Sequence, residues 1–561
     1  MKLSSLISEG MVLQRETTNT IWGKEAKGDV TVTLLDGAKE LAKVKGTASD
    51  DGSFELQLPE MKAGGPYVLE IKDDLSKIVL NEVCVGDVFL LAGQSNMEIP
   101  VSRTLDLERK TVSKIHNELI RHFEVPKTPR FDGPTEDIYE GIWKKATQEN
   151  LYPFSAVGFF FAELVNKNQG VPVGLIQTAV GGIQIEALIP EEKLLKEGER
   201  LIKEAVARGE DPDTDDLVFP NHYGKFSYKK LIDFDKDEEK VKARIAEDER
   251  RTAEHLKKID EGDIGVTGDF AKRTTLFDEG ETPQYISVPG RWENLKENGF
   301  LENLRGSVWV LKRFEVPDEY VGKEARLVLG TIIDADETYI NGVEIGRTEY
   351  RYPPRRYPIP VGILKKQNTL VVRIKIFARA GGFVDAMPYY VDLLDDHFIP
   401  LVGKYEFKVG VNVNPNPDKA ENFPDGTFFM FRPCGMYNNM IHPLRRMSLK
   451  GMLFYQGESN TMYYNEYDSL MRLMASSIRE CFNNPQLKMA FVELPYYGEE
   501  DDERGSGNWD KLRLAQEKAR NIPDSVLVDI YDLGFRYELH PQNKRAVAER
   551  LYREFSKLLY S

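Results

Sequence analysis

Cysteine is scarce in this chain of 561 residues. The three cysteines, Cys84, Cys434 and Cys481, lie far apart, and no two of them form a Cys-x-x-Cys pair. This spacing argues against a zinc ribbon and against a dithiol redox motif. So few thiols are also typical of a protein from a reducing compartment.

Long apolar runs and an excess of positive charge are missing as well. No run approaches the ~18 apolar residues of a membrane span, and residues 1–10 lack the apolar core of a signal peptide. The formal net charge of −16 argues against nucleic acid and anionic membrane as partners, because both attract basic surfaces. We therefore expect a cytoplasmic protein. Neutral sugars and other uncharged molecules remain possible substrates.

Apolar residues make up 41% of the chain, enough to bury a large core, and the length predicts several domains. Short strand-like runs between glycine turns predict an N-terminal β-sandwich over 1–85. Strand and helix patterns alternate over 86–190 and again over 412–561. A charged helical insertion over 191–265 and a second β region over 266–411 separate these two segments. This order predicts the α/β class, with one doubly wound domain interrupted by insertions.

The polar stretch Gly93-Gln94-Ser95-Asn96-Met97 directly follows the apolar run Val88–Ala92. That run predicts a buried strand, and the glycine allows a sharp turn that exposes the Ser95 hydroxyl. A serine held in this way is well placed to act as a nucleophile, although Met97 breaks the G-x-S-x-G pattern of the α/β-hydrolases. The alternative interpretation is a plain polar turn after a core strand.

A glycine pair, Gly181 and Gly182, follows the predicted buried strand Val173–Thr178. Paired glycines at the carboxyl end of a strand can offer backbone N–H groups to a ligand oxygen. From these residues alone, a tight turn between strand and helix explains the pair equally well.

His540 and Glu538 follow the last predicted strand, Ser525–Ile530. Ligands of open α/β sheets bind at the carboxyl edge, so this histidine could reach Ser95 there. A serine nucleophile needs such a base, and the base needs an acceptor that orients it. The histidines His116, His122, His397 and His442 lack this setting, and we interpret them as structural.

Four blocks occur in one order along the chain and resemble the sialate O-acetylesterase and acetylxylan esterase branch of the SGNH hydrolases. The resemblance covers both α/β segments. It implies a flavodoxin-like three-layer α/β/α domain with an immunoglobulin-like N-terminal β-sandwich. The blocks are Gly93-Gln94-Ser95-Asn96-Met97, Gly181-Gly182-x-x-Ile185-Glu186-Ala187, Tyr455-Gln456-Gly457-Glu458-Ser459-Asn460 and Glu538-Leu539-His540-Pro541.

The inserted β region carries a resemblance of its own. The stretch Asp334–Gly346 is similar to sugar-binding, galactose-binding-like jelly rolls that are attached to many glycosidases. Asn341-Gly342 within it is a strong hairpin signal. Aromatic side chains of this region could stack on sugar rings, although such residues in a β-sandwich more often belong to its core. These residues are Trp309, Tyr350, Tyr352 and Tyr357.

The resemblance implies an esterase that removes O-acetyl groups from carbohydrates, with Ser95 as nucleophile and His540 as general base. Glu538 stands where the family usually has aspartate, and Asp532 is a reserve candidate for orienting the histidine. Metal and cofactor are not required by this chemistry. The acetylated carbohydrate is the expected partner. A homo-oligomer is possible as well, because edge strands of the sandwiches could pair between subunits.

The oxyanion hole would come from backbone and side-chain donors of three blocks. The resemblance assigns the Ser95 N–H, the N–H of Gly181 or Gly182, and a side chain of Gln456 or Asn460. It gives supporting places to Gln94, Asn96 and Glu458. Val180 and Ile183 stand where relatives often carry Trp and Thr, which makes the predicted pocket less aromatic.

Two other functions remain as alternatives. A non-catalytic carbohydrate-binding protein would suit two β-sandwiches, but it leaves the polar residues at several predicted strand ends without a purpose. An esterase for non-sugar short-chain esters would use the same serine and histidine, and the sugar-binding resemblance of the insertion weighs against it.

Overall fold

The computed structural model describes residues 1–207, 209, 228–294, 296–377, 380–385, 387–414, 416, 426–497, 507–535 and 538–560. The chain forms two compact units. The first comprises Met1–Val241 and Phe428–Ser561, and the second comprises Lys242–Thr427. His222, which the charged insertion led us to interpret as an exposed bystander, lies outside the described residues.

The chain begins with strands, as predicted for the first 85 residues. They are β1 (Lys2–Leu3), β2 (Val12–Gln14), β3 (Asn19–Lys24), β4 (Asp29–Asp36), β5 (Lys39–Thr47), β6 (Phe54–Leu58), β7 (Gly64–Lys72) and β8 (Lys77–Gly93).

Helices and strands then alternate, and the charged insertion is helical where it is described. These elements are α1 (Ser95–Glu98), α2 (Leu105–Val112), β9 (Asn117–Glu124), β10 (Trp143–Ala146), α3 (Ala156–Gln169), β11 (Val173–Gln177), α4 (Glu191–Ala207), α5 (Tyr228–Asp235) and α6 (Glu238–Gly262).

The second β region is described next, after the short helix α7 (Ile264–Thr267). Its strands are β12 (Tyr285–Val288), β13 (Gly290–Arg291), β14 (Gly306–Glu315), β15 (Ala325–Leu329), β16 (Ile332–Ile333), β17 (Ala335–Ile340), β18 (Val343–Thr348), β19 (Arg356–Ile359), β20 (Gln367–Ile376), β21 (Gly382–Phe383), β22 (Tyr389–Asp392), β23 (Phe398–Pro400) and β24 (Gly403–Asn412).

The last segment returns to strand–helix alternation. It contains β25 (Gly451–Tyr455), α8 (Tyr464–Cys481), β26 (Lys488–Val492), α9 (Asn508–Lys518), β27 (Ser525–Val528) and α10 (Lys544–Leu559).

The main sheet of the first unit has the strand order β10-β9-β11-β8-β25-β26-β27. From β9 to β27 every neighbouring pair is parallel, and β10 joins the edge antiparallel. Helices α3 and α10 pack against each other and against strands of this sheet. The two α/β segments therefore build one sheet, as their separation in the sequence predicts.

Strand β8 runs across residue 85, where we expect the N-terminal β-sandwich to end. Its first part pairs antiparallel with β7, and its second part pairs parallel with β11 and β25. One continuous strand thus joins the N-terminal sheet to the α/β sheet, and the predicted strand Val88–Ala92 is only its buried end.

In the second unit, β12-β24-β14-β20-β17-β18 form a six-stranded sheet and β19-β15-β22-β23 a four-stranded sheet. β17 and β18 pair as the hairpin that Asn341-Gly342 predicts. Trp309 and Tyr357 are buried in this unit, whereas Tyr350 and Tyr352 are 53% and 39% exposed. The core interpretation of these aromatic residues therefore holds for two of the four.

Gly93 ends β8 opposite Tyr455, the last residue of β25. Gly93 has a φ of +124°, and a Cβ at this position would lie 2.1 Å from the carbonyl oxygen of Tyr455. We expect Gly93→Ala to lower the free energy of unfolding by about 3 kcal/mol or more, because backbone strain and a clash add up. Denaturant unfolding measures this change.

Gly170, at the end of α3, provides the control. It also has a positive φ, +67°, but a Cβ there would meet nothing within 4 Å. Gly170→Ala should cost only about 1 kcal/mol from the left-handed backbone alone. Equal losses in the two variants would show that the contact with Tyr455 does not matter.

Candidate active site

Ser95 and His540, 445 positions apart, meet at the carboxyl edge of the main sheet. Ser95 is the first residue of α1 and is separated from the end of β8 by Gln94 alone, and His540 lies four residues before the start of α10. The Ser95 Oγ lies 2.8 Å from the His540 Nε2. This is the contact between a hydroxyl and a base that the order of the motifs predicts.

The surroundings keep the His540 imidazole neutral. Burial lowers its pKa to about 3, and the nearby positive charges of Lys544 and Arg103 act in the same direction. The imidazole is therefore unprotonated near neutral pH and has a lone pair for the Ser95 proton, although so low a pKa makes it a weak general base.

Glu538 lies next to the histidine but binds its backbone rather than its ring. Its Oε1 accepts the His540 backbone N–H at 2.8 Å, and its buried Oε2 has no hydrogen-bond partner among the described residues. Burial raises the pKa of this carboxyl group. The expected carboxylate–imidazole bond is therefore not formed, and Glu538 holds the segment that carries the histidine.

Asp532 does not belong to this site. Its two carboxylate oxygens accept hydrogen bonds from Arg550 at 2.5 and 2.6 Å, and its side chain is 68% exposed. Our reserve role for Asp532 is wrong because a surface ion pair engages the carboxylate.

The two glycines expected at the oxyanion hole differ in their surroundings. The Gly181 N–H donates to Glu98 Oε2 at 2.5 Å, and Lys127 binds the other oxygen of Glu98 at 2.6 Å. Gly182 has a φ of +79°, and a Cβ there would lie 2.3 Å from the ring of Phe431. The Gly181 N–H is thus occupied in this structure, and an aromatic ring that the sequence did not indicate, that of Phe431, lies against Gly182.

Gln456 and Asn460 use their amide groups inside the protein. Gln456 Nε2 donates to Asn460 Oδ1 at 2.7 Å and to the Ile183 carbonyl at 3.2 Å. Asn460 Nδ2 donates to Glu186 Oε2 at 2.9 Å, and both amide side chains are fully buried. In this structure they join the second and third sequence blocks.

Gln94 ties the serine turn to the third block. Its Oε1 accepts the backbone N–H groups of Gly457 at 3.3 Å and Ser459 at 3.2 Å. The backbone N–H of Gln94 donates to the Tyr455 carbonyl at 2.9 Å. These bonds fix the residue immediately before Ser95.

Asn96 ties the same turn to the histidine segment. Its Nδ2 donates to Glu458 Oε1 at 2.6 Å and to the Leu539 carbonyl at 3.0 Å, and its Oδ1 accepts from Lys544 Nζ. Sequence reasoning missed Lys544, because a charged residue in the first turn of a helix usually faces solvent. The run His540-Pro541-Gln542-Asn543-Lys544 was the only available signal.

No group of three or more His, Cys, Asp or Glu side chains in the described ranges is arranged to hold a metal ion. Among the described helices, none has both the length and the apolar character that crossing a bilayer requires.

Comparisons with known proteins agree with the four sequence blocks. The sequence model of the family "carbohydrate esterase, sialic acid-specific acetylesterase" matches residues 85–213 and 426–556. The sialate O-acetylesterases of Homo sapiens and Pongo abelii are each 32% identical to this chain over a match of 200 residues, and the match covers 33% of this chain. The match spans 38% of the length of either relative.

A solved structure also resembles this chain. It is a carbohydrate acetylesterase from Xanthomonas citri, with a TM-score of 0.54 and 19% sequence identity. The similarity covers 100% of this chain and 75% of that protein. At this identity the likeness concerns the fold.

The positions of Asp532 and Glu538 predict opposite effects of substitution. Asp532→Asn should keep turnover of p-nitrophenyl acetate within about 2-fold, because an exposed ion pair contributes little. Glu538→Ala should lower kcat roughly 10-fold or more, because it leaves the His540 N–H without its acceptor and lets the base shift. A large loss in Asp532→Asn together with full activity in Glu538→Ala would contradict this assignment.

Proposed function

Because its two α/β segments belong to the sialate O-acetylesterase branch of the carbohydrate esterases, we propose that this chain is a carbohydrate O-acetylesterase that acts through Ser95 and His540. The observation that carries the proposal is the 2.8 Å contact between the Ser95 hydroxyl and the His540 imidazole. The relatives' names give sialate esters as one substrate class, and other acetylated glycans remain within the proposal.

The chemistry starts with the serine. Ser95 Oγ attacks the acetyl carbonyl carbon while His540 Nε2 takes its proton, which gives a tetrahedral oxyanion and an imidazolium. The imidazolium then protonates the sugar oxygen, and the sugar leaves. Water, deprotonated by the same imidazole, attacks the acetyl-serine, and acetate and free Ser95 result.

Backbone amides are the proposed oxyanion donors. The Ser95 N–H is available for this role, because the first amides of a helix have no acceptor within the helix. The Gly182 N–H is the second candidate, since Glu98 engages the Gly181 N–H. The amides of Gln456 and Asn460 are engaged elsewhere, so we give these two residues a bracing role.

We also propose a more specific fold for each unit, in line with the proposed function. The mostly parallel sheet with packed helices supports an SGNH-type three-layer domain. The two larger antiparallel sheets of the second unit support an inserted jelly roll. A cytoplasmic location, with short imported oligosaccharides as substrates, is a further proposal that cell fractionation would test.

Substitution of the serine tests the proposal. Ser95→Ala should lower kcat for acetate release by on the order of 10⁴-fold, as in other serine hydrolases. Ser113→Ala is a matched control, because the Ser113 hydroxyl is exposed and donates only to the Lys110 carbonyl. Near-normal turnover in Ser95→Ala would refute the assignment and leave a carbohydrate-binding protein as the alternative.

The same assay separates sugar esters from other esters. Acetylated oligosaccharides and short-chain alkyl esters are supplied in parallel, and acetyl loss is read by mass spectrometry. We expect a higher kcat/KM for the sugars. A preference for alkyl esters would instead favour the non-sugar esterase.

A further inference from the structure

Lys544 occupies a position where a lysine is costly. It is the first residue of α10, where the partial positive charge of a helix N-terminus disfavours a cation. It is also only 1% exposed, and fully buried lysines are rare unless paired. A residue that breaks two local rules at once is expected where function requires it.

The contacts of Lys544 lead directly to the reacting groups. Its ammonium donates to the Asn96 Oδ1, and Asn96 follows the nucleophile in the sequence. The Asn96 amide nitrogen donates to the Leu539 carbonyl at 3.0 Å, and Leu539 precedes the general base. One amide therefore connects the serine turn with the histidine segment.

Lys544 and Glu458 together fix the orientation of that amide. The ammonium can only donate, so it selects the Asn96 oxygen. Glu458 Oε1 accepts from the Asn96 nitrogen at 2.6 Å, which selects the opposite side. Without the ammonium, the oxygen would lose its donor, and the amide would be freer to turn away from the Leu539 carbonyl.

We propose that Lys544 is a positioning residue, which acts through Asn96 to hold Ser95 and His540 at bonding distance. The effect on turnover rests on the proposed esterase function. The structural effect and the effect on the imidazole do not.

The charged groups around Lys544 come from several elements. Glu458 and Glu538 face it from the third and fourth sequence blocks, and Arg103 faces it from the turn before α2. Burial lowers the pKa of Lys544 to about 7, against the raising effect of the two glutamates. Lys544 and Arg103 in turn lower the pKa of His540. Loss of the lysine charge should therefore raise the pKa of the imidazole.

Three variants separate the roles of the lysine. Lys544→Met keeps a side chain of similar length but removes both the hydrogen-bond donor and the charge. Lys544→Gln keeps a hydrogen-bond donor and removes only the charge. Arg545→Met is the matched control, because Arg545 lies in the same helical turn and pairs instead with Glu108 and Glu163. All three are compared in kcat, KM and thermal unfolding.

We expect Lys544→Met to lower kcat roughly 10- to 100-fold with little change in KM, because misplacement of a reacting group slows the chemical step. Lys544→Gln should lose less, and Arg545→Met should stay within about 2-fold. In an Asn96→Ala background, Lys544→Met should have almost no further effect, since both act on one contact. Full additivity of the two substitutions would overturn the proposal.

A titration tests the charge effect without substrate. The His540 imidazole is followed by NMR, with a His540→Gln variant for assignment. Its midpoint should move to higher pH by roughly 1 unit in Lys544→Met and in Lys544→Gln, and not in Arg545→Met. A merely structural lysine would lower the unfolding temperature and leave the midpoint in place, and that result would also overturn the proposal.

The esterase function and the positioning role of Lys544 can be refuted separately. If the parent protein released no acetate, the esterase function would be refuted, while the titration of His540 would still test the role of Lys544. If Lys544→Met did not fold, Lys544→Gln in the same titration would decide, because it keeps a donor toward Asn96. An unchanged midpoint of the His540 titration in Lys544→Gln would then contradict the expected effect of the lysine charge on the imidazole.

Discussion

The parallel pairing of β8 with β25 is the constraint on which the site depends. It sets Gly93 opposite Tyr455, so that both strands end at one edge of the sheet. The backbones come so close there that residue 93 has no room for a side chain. Ser95 and the block from Gln456 to Asn460 are neighbours because of this pairing, although more than 350 positions separate Gln94 from Gly457.

Hydrogen bonds among buried side chains then convert this closeness into a defined geometry. Gln94 and Asn96 flank the serine and reach the third block and the histidine segment, respectively. Such a network is favourable only when its members are paired, because an unpaired buried polar group costs about 1–3 kcal/mol. Lys544, Glu458 and Glu538 add charges to this interior, which is costly for stability and is typical of a functional site.

The sequence predicted the framework well. Each main strand of the sheet that we expected is an uninterrupted apolar run followed by glycine or polar residues, as at Val88–Ala92 before Gly93. Strands β5 and β9 escaped detection because charged residues interrupt their apolar pattern. The length of β8 was also hidden, since its first part alternates and its second part is wholly buried.

The partners of the polar residues could not be predicted in the same way. A sequence shows that Glu538 and Asp532 lie near a histidine, but the directions of their side chains depend on packing. Glu538 binds the backbone of His540, and Asp532 binds Arg550. Glu98 on the Gly181 N–H and Lys544 on Asn96 are contacts between distant segments, for which spacing along the chain gives no signal.

The central claim is that Ser95 is a nucleophile activated by His540, and covalent labelling tests it most directly. The protein is treated with a fluorophosphonate, and the adduct is quantified by intact mass and located by peptide mapping. The account predicts one adduct per chain, on Ser95, and a rate of labelling that collapses in His540→Ala. Labelling at another residue, or labelling of Ser95 at an undiminished rate in His540→Ala, would contradict it.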